Sequence, residues 1–180
     1  TECGLTSLEG LAGCTGLKRL HVSGNSLRSL NEPGISELTG LEVLWANDNK
    51  INSIAGLERL TSLTTLWLAN NRLGLVGDNL RNQSNSLQEL NLAGNKLGTF
   101  KSIQKLVSLR KLSSLLLNDP HFGDNPVCHL SNYKTYLGYH LPQLKMLDAE
   151  VINSDERELA CAIFAKKCMY YNMRQKTAKR

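Results

Sequence analysis

The residues able to do chemistry are few and scattered. Five cysteines (Cys3, Cys14, Cys128, Cys161, Cys168) and four histidines (His21, His121, His129, His140) are present. A zinc site needs such residues clustered at finger-like spacing. Cys128 and His129 form the one adjacent pair, and nothing near them completes a ligand set. No metal or other cofactor is therefore expected. The cysteine number is odd and no CxxC occurs, which favours reduced thiols over a disulfide framework. The phosphate-binding glycine loops, the GxSxG elbow and the HExxH helix are missing from the sequence. The carboxylates suggest no acid/base pair, and His21 has no nucleophile beside it. The expectation is a protein that is not an enzyme and has no small-molecule substrate.

What remains is binding chemistry. The chain has two tryptophans, and both stand in the same local setting: "LEVLWANDNK" around Trp45 and "LTTLWLANNR" around Trp67. Side chains alternate along a strand, so a residue between two inward aliphatics points out. Tryptophan is among the residue types most enriched at interaction hot spots. A second explanation stays open: the two rings cover the sheet or each other.

The elements that position these rings follow from a repeat. The pattern LxxLxLxxN occurs as "LKRLHVSGN" (Leu17–Asn25), "LEVLWANDN" (Leu41–Asn49), "LTTLWLANN" (Leu63–Asn71) and "LQELNLAGN" (Leu87–Asn95). A fifth copy, "LSSLLLNDP" (Leu112–Pro120), carries proline in the Asn slot, and counting back from Asn25 reaches Cys3. The expected ladder is thus Cys3, Asn25, Asn49, Asn71, Asn95, Pro120. Each repeat supplies a short strand. The Asn slot must satisfy buried turn backbone, because unpaired buried N–H and C=O groups are costly. A second aliphatic series, Ile51, Ile54, Leu57, Leu60 and Leu63, carries the chain back along the outer side. No repeat can bury its face alone, so stacking is required. "NEPG" (Asn31–Gly34) and "RNQSNS" (Arg81–Ser86) look like turn-rich insertions on the outer side.

These motifs resemble the leucine-rich repeat family, and the match covers almost the whole chain. The resemblance implies an α/β fold: a right-handed solenoid with parallel strands on its concave face and helical or 3₁₀ turns outside. The 22-residue spacing and "IxxIxGLxxL" (Ile51–Leu60) are similar to the intracellular subclass found in phosphatase regulators and the axonemal dynein light chain. "NPVCHLSNYKTYLGYHLPQLKMLD" (Asn125–Asp148) resembles the C-terminal cap of such proteins, which a solenoid needs to cover its last core layer. The expected division is 1–124 repeats, 125–150 cap and 151–180 basic helical tail.

Three stretches, "DPHFGDNPVC", "NYKTYLGYHLP" and "KKCMYYNMRQKT", are similar to a long multi-array leucine-rich repeat protein of ciliated organisms. That similarity implies a cytoplasmic scaffold of a cilium, flagellum or cytoskeleton. Similar caps also occur in spliceosomal leucine-rich repeat proteins. They imply, as the alternative, a nuclear ribonucleoprotein adaptor binding a protein on its concave face.

The outward slots of successive strands are His21, Trp45, Trp67, Asn91 and Leu116. The slots two before are Arg19, Val43, Thr65, Glu89 and Ser114; two after stand Ser23, Asn47, Ala69, Ala93 and Asn118. Neighbouring strands lie about 4.8 Å apart, so the indoles should be side by side. The expected partner-binding set is Arg19, His21, Val43, Trp45, Asn47, Thr65, Trp67, Ala69, Glu89 and Asn91, and the partner is another protein.

Charge divides the chain unevenly. The net charge is +5, and residues 155–180 hold seven Lys/Arg against three Asp/Glu, a net +4. "NSDERELACAIFAKKCMYYNMRQKTAKR" (Asn153–Arg180) has the makings of a helix, with Ser154 as N-cap and Leu159, Ile163 and Phe164 as an apolar stripe against the cap. Its basic end could bind an acidic surface such as tubulin, RNA or anionic lipid, or it could be a solvated connecting helix. No apolar run exceeds seven residues, where a membrane span needs about 20, and the start shows no signal-peptide pattern.

Overall fold

A computed structural model describes residues 3–178, with side chains through residue 166. The LxxLxL positions form five strands in one parallel array: β1 (Arg19–His21), β2 (Val43–Trp45), β3 (Thr65–Trp67), β4 (Glu89–Asn91) and β5 (Ser114–Leu116). The register is the one the repeat demands. Leu20, Leu44, Leu66, Leu90 and Leu115 pair in sequence across the sheet and are all buried. The outer series Ile51, Ile54, Leu57, Leu60 and Leu63 is buried as well. The connections after β1, β3 and β4 carry short helical turns, among them α1 (Pro33–Ser36), a 3₁₀ turn at Asp78–Gln83 and α2 (Phe100–Ile103), while the one from β2 to β3 is made of plain turns. Each of the two expected turn-rich insertions is helical over half its length, at 33–34 and at 81–83.

Asparagines close each repeat. Asn71 is typical: its Nδ2 donates to Ala46 O, Leu68 O and Ala69 O at 3.0–3.2 Å, and its Oδ1 accepts from Ile51 N at 2.9 Å. Asn49 and Asn95 repeat the pattern. The residue before each rung turns the chain with positive φ: Gly24 (70°), Asp48 (53°), Asn70 (51°) and Gly94 (63°). Asn, Asp and Gly tolerate that region best. At Gly94 only glycine fits, since a Cβ would stand 2.1 Å from Phe122 O.

The ladder differs from the expected one at its ends. Pro120 is not a rung. Residues around it form a two-stranded hairpin, β6 (Asn118–Asp119) with β7 (Gly123–Asp124). The rung is Asn125, fully buried, which accepts from Leu97 N and donates to Leu92 O and Leu117 O. A proline side chain could make none of these bonds. Cys3, counted as the first rung, is exposed.

Beyond Asn125 the core is sealed by α3 (Tyr133–His140), by β8 (Met146–Leu147), which pairs parallel with β5, and by β9 (Glu150–Val151), antiparallel to β8. Asp148 takes over the role of the asparagine. Its Oδ1 accepts from Leu117 N and Asn118 N, and its Oδ2 accepts from the buried Tyr133 hydroxyl at 3.0 Å. Burial, reinforced by Asp148, raises the Tyr133 phenol far above its usual range, so it stays a donor.

The last helix, α4 (Ser154–Ala178), packs on α3. Its N-cap is Asn153 rather than Ser154: Asn153 Oδ1 accepts from Glu156 N, and Glu156 Oε2 accepts from Asn153 N. This is the reciprocal capping box. Its inward side keeps Phe164 and the half-buried Ile163 of the expected stripe but not Leu159. Leu159 is exposed, Ala160 is buried against Gly138, and Phe164 stacks on Tyr139 with centroids 4.9 Å apart. The basic side chains from Lys167 onward, on which tail binding would depend, lie outside the described residues.

Candidate protein-binding face

Positioning of the site begins with the paired leucines. Because Leu20, Leu44 and Leu66 face inward and in register, His21, Trp45 and Trp67 must face outward in register, one residue later. The three rings form a continuous row. His21 meets Trp45 edge-on, with centroids 5.7 Å apart and planes at 74°, and Trp45 meets Trp67 at 6.4 Å and 75°. Edge-to-face contact suits the quadrupoles of aromatic rings. The indoles thus touch each other, yet both remain only half-buried, and His21 is exposed. With Ser23 and Asn47 they line one shallow concavity.

Other expected positions divide into two groups. Arg19 and Glu89 are exposed, and Val43 and Thr65 are half-buried beside the rings. Arg19 on β1 and Glu89 on β4, three strand spacings apart, end the neighbouring row Arg19–Val43–Thr65–Glu89, which runs alongside the rings. Asn47, Ala69 and Asn91 are largely buried, and of these three Asn47 alone lines the concavity. They are 7%, 0% and 3% exposed. Asn47 Oδ1 accepts from Ala69 N at 2.8 Å, Asn91 Oδ1 accepts from Ala93 N at 3.0 Å, and Asn47 N donates to Ser23 Oγ. These side chains satisfy the backbone where the strands end and the turns begin. The slot rule identified their direction but not the demand of the neighbouring N–H groups. Ser23, outside the expected set, also lines the concavity; a serine carries little signal of its own in sequence.

The remaining chemistry-bearing residues do not converge. Cys14, Cys128 and Cys161 are free thiols. His129 pairs with Asp124 at 2.7 Å. His140 packs among Tyr136, Tyr139 and Phe164, and desolvation lowers its pKa. Among the described residues no three His, Cys, Asp or Glu side chains group to hold a metal, and no helix is long and apolar enough to cross a membrane.

A parallel strand row with helical turns behind it, closed by asparagine rungs, defines a leucine-rich repeat solenoid. The chain belongs to the leucine-rich repeat family, whose model matches residues 18–177. It is 32% identical over 121 residues to human U2 small nuclear ribonucleoprotein A', covering 67% of this chain and 46% of that protein. It is 34% identical over 130 residues to human leucine-rich repeat-containing protein 23, covering 72% of this chain and 30% of that protein. The chain spans about half the length, or less, of the curated relatives it matches. The crystal structure of the Drosophila melanogaster SNF/U2A' complex superimposes with a TM-score of 0.62 at 26% identity, covering 96% of this chain and 83% of that one.

Proposed function

We propose that this chain is a non-catalytic adaptor that binds a partner protein on its concave face, within a ribonucleoprotein assembly. The observation that carries the reading is the open aromatic row His21–Trp45–Trp67, beside a row that runs from Arg19 to Glu89. A sheet face that served only to cover the core would not hold two half-buried indoles over small and β-branched neighbours. The ribonucleoprotein setting is supported by the U2 A' relatives and by the U2A' chain that was crystallised bound to SNF. The ciliary or cytoskeletal setting that the sequence resemblance implied has no such support, and the nuclear setting replaces it in this reading.

The test is a titration of the chain with purified SNF. The wild type should bind, and Trp45→Ala/Trp67→Ala should bind at least tenfold more weakly, since a hot-spot aromatic contributes about 2 kcal/mol or more. Equal affinities of the two would remove the tryptophans from the site. No binding by the wild type would remove an SNF-type partner.

A further inference from the structure

A different edge of the solenoid carries an unexplained row of cations. The residue after each asparagine rung is Ser26, Lys50, Arg72, Lys96 and then Pro126. These positions are held in strict register by the backbone: Lys50 N donates to Leu27 O, Arg72 N to Ile51 O and Lys96 N to Leu73 O, at 2.8–2.9 Å. Lys50, Arg72 and Lys96 are therefore stacked one repeat apart, at about the 4.8 Å strand spacing. All three are exposed, and they line one concavity. None has an acidic partner among the described residues, although other lysines of the chain do, such as Lys18 with Glu42 and Lys105 with Asp78. Lys50 Nζ reaches only Ser26 Oγ, at 3.2 Å. The one acid in the concavity, Asp48, already accepts from Asn70 Nδ2 at 2.8 Å. Like charges on adjacent strands repel, so this arrangement works against the fold. It has a use if a regularly spaced anion lies along it.

We propose that the Lys50–Arg72–Lys96 row binds the phosphate backbone of a single-stranded RNA, separately from the aromatic face. The chemistry fits a phosphodiester chain. Arg72 offers a planar fork for a phosphate's two oxygens, and the lysines offer point charges on either side. The ground between them is asparagine amide, glycine backbone and the Asp48 carboxylate, which Asn70 engages. It holds no apolar side chain that could enter a bilayer or anchor a peptide. It holds no aromatic ring on which bases could stack, so the contact is sequence-tolerant and phosphate-directed.

The test is fluorescence anisotropy with a labelled RNA of about 12 nucleotides and mixed sequence, from about 50 to about 200 mM salt. The proteins are the wild type, Lys50→Gln/Arg72→Gln/Lys96→Gln, and a control with the same charge change elsewhere, Lys18→Gln/Lys101→Gln/Lys111→Gln. Circular dichroism checks the fold of each. The row variant should lose at least tenfold in affinity at the lowest salt. Its slope of log K against log salt should be shallower by about 2, at about 0.7 per phosphate contact released. The control should stay within about twofold of the wild type. Wild-type binding by the row variant would overturn the proposal. So would equal losses in variant and control, which mark diffuse charge that includes the basic tail. A row variant that lost binding to polyglutamate or to phosphatidylserine vesicles but kept RNA would overturn it in favour of those anions. If the triple variant fails to fold, Arg72→Gln and Lys96→Gln singly must each reduce the slope.

Discussion

The asparagine rungs and the outward strand row are built from the same repeats and behave in opposite ways. Rung after rung, Asn49, Asn71 and Asn95 make the same set of bonds to the same backbone groups. The outward row follows no such rule: His21, the two indoles Trp45 and Trp67, then Asn91 and Leu116. Stacking imposes the uniformity, because each rung must satisfy the same orphaned carbonyls and amides. Stacking imposes nothing on a side chain that leaves the sheet. Within a repeat protein, agreement between repeats therefore marks what the fold needs, and disagreement marks what is free to serve a partner. The cation row Lys50–Arg72–Lys96 shows the third case, agreement that the fold does not need.

The comparison can be broken from either side. The largest expected effect is on the uniform side. Asn71→Ala leaves Ile51 N–H unpaired in the core and removes a donor from three carbonyls. It should cost about 3 kcal/mol, at the upper end for an unsatisfied buried group, read as a lower midpoint in urea unfolding. A loss below about 1 kcal/mol would mean that water replaces the amide. On the variable side, Trp45→Ala should weaken partner binding by about 2 kcal/mol while shifting the urea midpoint far less than Asn71→Ala does. A reversed ranking of these two variants, with the tryptophan governing stability, would refute the division.

Smaller effects sharpen the picture at the cap. Tyr133→Phe removes the donor to Asp148 but leaves the packing, and should cost about 1 kcal/mol. A neutral result in thermal unfolding would mean that Asp148 is held by its two backbone donors alone. The smallest effect concerns pH. Burial among Tyr136, Tyr139 and Phe164 lowers the His140 pKa. The imidazole is neutral in both folded and unfolded chains above about pH 6.5, so it contributes no pH dependence there. Below that, the unfolded chain takes up the proton first, and stability falls with acidification. His140→Phe should flatten this part of the profile of melting temperature against pH, and an unchanged profile would assign the acid sensitivity to other groups.

Much of the architecture was legible because it repeats. The strands, their register, the outer aliphatic series and the four rungs Asn25, Asn49, Asn71 and Asn95 follow from LxxLxLxxN alone. The errors fall where the repeat is interrupted. The hairpin at 118–124 pushes the next rung from the Pro120 position to Asn125, and an insertion inside a repeat cannot be seen by counting from the previous one. The N-cap at Asn153 in place of Ser154, and the Ala160–Phe164 face in place of Leu159, depend on how α4 is rotated against α3, and two adjacent candidates look alike in sequence. On the aromatic face, the direction of each side chain was readable, while the burial of Asn47, Ala69 and Asn91 was not. Asn47 is tied to the neighbouring repeats through Ser23 Oγ and Ala69 N, while Asn91 bonds Ala93 N of its own turn.

The two tryptophans are the only ones in the chain, so tryptophan fluorescence reports on this face and nothing else. Acrylamide quenching, measured on the free protein and again with saturating SNF, with the partner's own emission subtracted, is the most direct test of the central claim. Both indoles should quench readily in the free protein and become protected in the complex. Quenching that is already weak without a partner, or that is unchanged in a complex shown by other means to have formed, would contradict the account.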